Sequence, residues 1–218
     1  VDSAWQELPG PVQQALLFPL LILSGMMLPL ESGPAWMQVA SRLNPLTYVV
    51  RSTLATVGLL DDALRNTEDL PLDAPTAEAF LAAGGRRSAI AMNCSGKHAA
   101  MLATCAHCHW SGDDYLDVDH PLQHAIGARI AELAGTVTHI GVDGCGAPAH
   151  AVTLRGLAQA FARLASDRGP VWAAMTAHPQ LVGGERRDVT RLMRAVPGLM
   201  AKDGAEGVFA AALPDGRA

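Results

Sequence analysis

Between Pro121 and Val196 the chain alternates apolar stripes of helical period with glycine and proline stops, which leaves little room for long strands. Pro121 opens one such stripe, with Leu122, Ile126, Ile130 and Leu133 on one face and Gly135 as its stop. Leu154, Leu157, Phe161, Leu164 and Ala165 form another, closed by Gly169-Pro170. Shorter helices fit Val171–Ala177 and Val189–Val196, and earlier ones fit Thr76–Ala83, with Thr76 as N-cap, and 98–109. Strand signals are few. Thr138–Val142 is short and β-branched, and Leu199–Lys202 with Gly207–Leu213 reads as a hairpin across a glycine-bearing turn. The expected class is α+β and helix-rich.

The first sixty residues are of another character. Leu16 to Leu30 runs fifteen residues without a charge, short of the ~20 that a membrane helix needs, and Pro19 and Pro29 interrupt it. A buried core helix flanked by loops and a membrane-contacting segment with Trp36 and Tyr48 at the interface are both open readings. No basic region precedes this run, so a signal peptide is not expected. Residues Gly58 to Thr67 form the seam, and no internal repeat is present. The two expected domains are 1–60 and 67–218.

Composition narrows the function. Half the residues are apolar, enough for a core, and the net charge of −5 comes without a lysine or arginine cluster, so no nucleic-acid partner is expected. The four cysteines, Cys94, Cys105, Cys108 and Cys145, point to metal binding or catalysis before disulfides, on the reading of an intracellular chain.

Two of them sit in chemically pointed surroundings. Asn93-Cys94-Ser95-Gly96-Lys97-His98 puts a thiol at the start of a helix, with a lysine three residues on; the positive helix end and the lysine both favour thiolate. Asp143-Gly144-Cys145-Gly146 puts a second thiol in a glycine turn after a short strand, where backbone can approach closely. Two thiolates brought together would bind a soft or borderline metal, zinc first. Two packed, inert thiols that never meet is the competing reading. A Cys94–Lys97 nucleophile pair is a third, because those side chains lie one helical turn apart.

Five separated motifs carry a resemblance. Asn93 to His98, His120-Pro121-Leu122-Gln123, Asp143 to Pro148, Leu157 to Leu164, and Lys202-Asp203-Gly204-Ala205-Glu206-Gly207 together resemble the asparaginase II family. The resemblance implies a serine-β-lactamase-like fold, here incomplete, and hydrolysis of L-asparagine to aspartate and ammonia. It implies serine–lysine chemistry, a zinc ion on Cys94, Lys97 and Cys145, and His98 and Asp143 just outside the ligands. It also implies a cytoplasmic location for this part and a homodimer in the intact family. Pro19 to Ser52, ending in Asn44-Pro45-Leu46-Thr47-Tyr48 and neighbours, resembles the last part of an ABC-2 type transporter permease, so the chain reads as a permease-like apolar segment joined to an asparaginase-like part.

The departures bear on activity. The family's Ser-x-x-Lys and Ser-His-Ser-Gly-Glu type motifs are absent, permease-like sequence stands in their place, and a lysine expected beyond Asp215-Gly216-Arg217 is not reached. No residue is therefore assigned as catalytic, and asparaginase activity is not expected from this chain alone; the loss of such a nucleophile costs on the order of 10⁶ in rate. A membrane-transport fragment and a non-catalytic zinc module remain the alternatives.

Two further patterns are set aside. Gly96-Lys97 fails as a phosphate loop, with alanine at position 91 and His98 after the lysine. Cys105-Ala106-His107-Cys108-His109 fits the haem-attachment pattern but falls inside an expected helix. The expected outcome is a purified chain with no Soret absorption, even from a host with active cytochrome maturation; a strong band would reverse the assignment.

Overall fold

The computed structural model describes residues 45–218, so the apolar run 16–30, Trp36 and the permease-like segment before residue 45 lie outside the described residues. Helix α1 covers Pro45–Thr56 and is followed by a single 3-10 turn at Asp61–Ala63. Then come α2 (Ala74–Ala82), α3 (Ser95–Cys108) and α4 (Pro121–Ala134). A hairpin of β1 (His139–Val142) and β2 (Pro148–Ala151) precedes α5 (Leu154–Asp167), α6 (Pro170–Ala177), α7 (Pro179–Gly183) and α8 (Asp188–Ala195). The last hairpin is β3 (Met200–Asp203) and β4 (Phe209–Ala212), joined through a 3-10 turn. The chain is α+β, as its punctuation predicts. Among the described residues no helix is long and apolar enough to cross a membrane.

Local chemistry sets the element ends. Asp73, rather than Thr76, caps α2: its carboxylate accepts the Thr76 N–H and hydroxyl at 3.2 and 2.7 Å. Helix α4 starts at Pro121 because a first-turn proline loses no hydrogen bond, and His120 accepts the Leu122 N–H at 3.1 Å. That bond leaves the proton of His120 on Nε2, which donates to the Ser111 carbonyl at 3.1 Å. Gly135 closes the helix at φ 85°, a conformation that favours glycine. Arg163, from α5, donates to the Glu132 and Leu133 carbonyls at 2.7 and 2.9 Å and so satisfies the end of α4. Two of the family-like motifs, around His120 and Arg163, thus serve helix ends.

Among the described residues both sheets are two-stranded and antiparallel, with His139 opposite Ala151 and Val142 opposite Pro148 in the first, and Met200 opposite Ala212 in the second. Strand β2, Pro-Ala-His-Ala, has no β-branched residue and gives no strand signal in sequence; pairing with β1 creates it. Helix α7 is likewise unanticipated.

The largest core cluster joins Val50 and Leu54 of α1 to Leu64, Ala99, Leu102, Cys105, Tyr115 and Leu122. Leu54 and Tyr115 are both wholly buried. Each such apolar side chain contributes about 1.5–3 kcal/mol, so α1 belongs energetically with the helices that follow it. A second cluster packs α8 against β3 through Val189, Met193, Leu199 and Ala201.

Close backbone approach decides one position. A Cβ at Gly156 would stand 2.2 Å from the Ala134 carbonyl oxygen, where α5 meets α4. Alanine gains about 1 kcal/mol in helix propensity, but overpacking costs about 1–3 kcal/mol. Gly156→Ala is expected to lower the thermal midpoint by several degrees, read by circular dichroism.

A polar clasp ties α8 to β3. Burial pushes the Asp203 carboxyl up, but hydrogen bonds from Lys202 and Arg187 outweigh it and hold the group at about 2, against 3.8 when free. A carboxyl lowered on folding stabilises fully above its free value and loses that contribution as pH falls from about 4 through about 2. The clasp is expected to contribute about 1 kcal/mol at neutral pH, discounted for the partly exposed cations. Denaturant unfolding should show the gap between wild type and Asp203→Asn closing over that acid window; a gap independent of pH would refute the assignment.

Candidate metal centre

The site is built where the N-terminus of α3 meets the five-residue loop of the first hairpin. Cys94 is the N-cap residue of α3, but its side chain makes no capping bond, so the sulfur is not engaged by its own helix. Its N–H instead donates to the Met92 thioether at 3.2 Å. Lys97 follows one turn later on the same face.

The loop supplies the other half. The Asp143 N–H donates to the Ala147 carbonyl and the Gly146 N–H to the Asp143 carbonyl, both at 2.8 Å, with Gly146 at φ 88°. A side chain at 146 would be strained in that conformation, so glycine is what lets the loop fold back. The Asp143 carboxylate also accepts the Gly144 N–H at 2.8 Å. This tight turn leaves Cys145 only 1 % exposed, packed beside Met92 and Ala147.

The two halves converge. One donor atom from each of Cys94, Asp143 and Cys145 lies within 4.8 Å of the other two. The Lys97 ammonium donates to Asp143 Oδ2 at 2.9 Å, and the Cys145 thiol points to that same oxygen at 3.5 Å. Asp143, expected outside the donor set, thus stands at the same close range as the two sulfurs.

Burial and charge pull the groups of the site in opposite directions. Burial raises the Cys94 thiol, outweighing the charge of Lys97, and nearby Cys145 and Asp143 add to the rise. The lowering expected from a helix start and a lysine is therefore absent; desolvation wins. Burial pulls Lys97 down, but its hydrogen bonds to Asp143 and Cys145 more than compensate, and its ammonium is favoured. The Lys97 bond lowers Asp143.

His98 lies wholly buried, with its pKa lowered to about 4 by burial and by the charge of Lys97. Its Nδ1 is 2.7 Å from the Tyr115 hydroxyl, the rings meet edge to face with centroids 5.7 Å apart, and Nε2 has no partner among the described residues. Tyr115 gave no signal in sequence: it is one of two tyrosines, in a loop without periodicity. Thr67 was missed too. Its hydroxyl donates to the Gly144 carbonyl at 2.9 Å and its N–H to the Cys145 carbonyl at 3.3 Å. A residue placed at a seam by composition instead holds the cysteine loop.

The haem-like pattern takes no part. Cys105 is 1 % exposed within the main core, and Cys105 and Cys108 are free thiols at the far end of α3.

Two families match parts of the chain. The ABC-2 type transporter family matches residues 6–57. No curated protein matches the chain. The L-asparaginase II family matches residues 46–218, a span that contains α1 after its first residue, Cys94, Lys97, Asp143 and Cys145, and all five motifs. By that match, over most of its length, the chain belongs to the L-asparaginase II family.

Proposed function

We propose that this chain is a zinc-binding member of the asparaginase II family that does not itself hydrolyse L-asparagine. The observation that carries the metal reading is the convergence of Cys94, Asp143 and Cys145 within 4.8 Å, with Lys97 on the same carboxylate. Two sulfurs, an amine and a carboxylate form a donor set suited to zinc, whose structural and catalytic sites favour sulfur and nitrogen in tetrahedral array. On the family resemblance Cys94, Lys97 and Cys145 are assigned as ligands, with His98 behind Lys97; Asp143, at the same range, is the further oxygen donor the geometry offers.

When bound, zinc would supply a fixed positive charge between the start of α3 and the 143–147 loop. The chain's own residues must first release protons: both thiols, and Nζ of Lys97, which can ligate only as a neutral amine. Asp143 Oδ2, already hydrogen-bonded to that Nζ, is the nearest acceptor and would steady the ligands once the proton has passed to solvent.

The reading of inactivity rests on what the chain contains. Its two lysines are Lys97 and Lys202, and the residues three places before them are Cys94 and Leu199, so no Ser-x-x-Lys pair exists. The permease-type match overlaps the asparaginase match over residues 46–57 and extends upstream of it, in place of a serine-bearing segment. The change of sequence type is therefore assigned to α1, ahead of the seam at 58–67. The described part is read as an incomplete serine-β-lactamase-like fold, with two separate hairpins in place of a continuous sheet.

Purified chain is expected to carry about one zinc per molecule by mass spectrometry of its metals, to lose it in Cys94→Ser and Cys145→Ser, and to release no ammonia from L-asparagine. Chelation should make Cys94 reactive to a thiol reagent. Zinc-free protein would defeat the metal reading. Sustained ammonia release abolished in Cys94→Ser would favour a cysteine nucleophile paired with Lys97.

A further inference from the structure

The donor set sits on two segments, α3 and the 143–147 loop, and a chain of hydrogen bonds outside it joins them. The Arg65 N–H donates to the Tyr115 hydroxyl at 3.0 Å. That hydroxyl lies 2.7 Å from His98 Nδ1. With one acceptor role taken by Arg65, the phenol proton finds its acceptor on Nδ1, which leaves His98 neutral with its proton on Nε2. Two residues beyond Arg65, Thr67 grips the Gly144 and Cys145 carbonyls. Between them Asn66, 5 % exposed, donates to the Ala89 carbonyl at 2.7 Å and fixes the strap to the segment leading into α3.

Resting on the zinc reading above, we infer that the Tyr115 hydroxyl and the strap Arg65–Thr67 which it holds are the positioning device of the donor set, setting Lys97 and Cys94 at the right separation from Cys145. Tyr115 acts through His98, the neighbour of Lys97; Thr67 acts through the loop carbonyls. Neither is a ligand. Partners outside a metal's ligands commonly change affinity by about 10–100-fold when removed. The Tyr115 hydroxyl is wholly buried and serves two partners at once, so its loss leaves both the Arg65 N–H and the His98 ring without their bond.

The test is titration of the metal-free full chain with cobalt(II), whose thiolate charge-transfer and d–d bands report both affinity and ligand geometry. Tyr115→Phe is expected to weaken binding about tenfold and displace the bands. Thr67→Val, at an exposed position that cannot by itself unfold the chain, should shift both in the same direction, and Thr67→Ser should restore them. Thr190→Val serves as the structural control: it removes an equally buried hydroxyl that bonds the Gly184 and Pro179 carbonyls, and should lower the thermal midpoint without moving the bands. Wild-type affinity and bands in both Tyr115→Phe and Thr67→Val would overturn the inference while leaving the zinc reading intact. Should Tyr115→Phe fail to fold, unchanged cobalt binding by Thr67→Val overturns it alone. A wild-type chain that takes up no cobalt would overturn the zinc reading itself.

Discussion

Lys97 and Asp143, forty-six residues apart in the chain, meet at 2.9 Å, and the rest of the site is arranged around that contact. With both side chains about 40 % or more exposed, the pair contributes little to stability, of the order of 0–1 kcal/mol. Its value is geometric. It holds the first turn of α3 over the hairpin loop, and the two sulfurs come within reach of a common point because the segments carrying them are docked there. The buried groups beneath supply the free energy of docking: Tyr115, Leu102 and Leu54 in the main core, Met92, Cys145 and Ala147 beside it.

Much of this arrangement is legible in the residues. Helices with strong stops, α4 and α5 above all, fall within a residue or two of where Pro121, Gly135 and Gly169-Pro170 place them, because those residues act through local backbone sterics. The two cysteines could be singled out from their neighbours, since a glycine turn and a helix start are also local. What escaped notice is long-range. Strand β2 exists by pairing, and α1 owes its standing to burial of Val50 and Leu54 against residues far down the chain. Tyr115 and Thr67 matter through partners 17 and 77 positions away, a relation that no window of sequence carries.

The state of the Cys94 thiol shows a second kind of blindness. Helix ends and neighbouring lysines are visible in sequence and both argue for thiolate at Cys94, whereas desolvation, which is not visible, has the larger effect and the opposite sign. The same burial favours a neutral ring at His98 and a tyrosine hydroxyl that keeps its proton.

The place of Val50 as the first buried core residue among the described residues has a bearing on how such a chain could arise. A recombination point can fall anywhere ahead of it without removing a packed side chain from the described cluster, provided the incoming sequence ends in a segment willing to continue as helix. Leu-Thr-Tyr-Val-Val, at 46–50, meets that condition while belonging to the overlap of two unrelated families. The two family matches thus overlap on the helix that carries Val50 and Leu54 into the core.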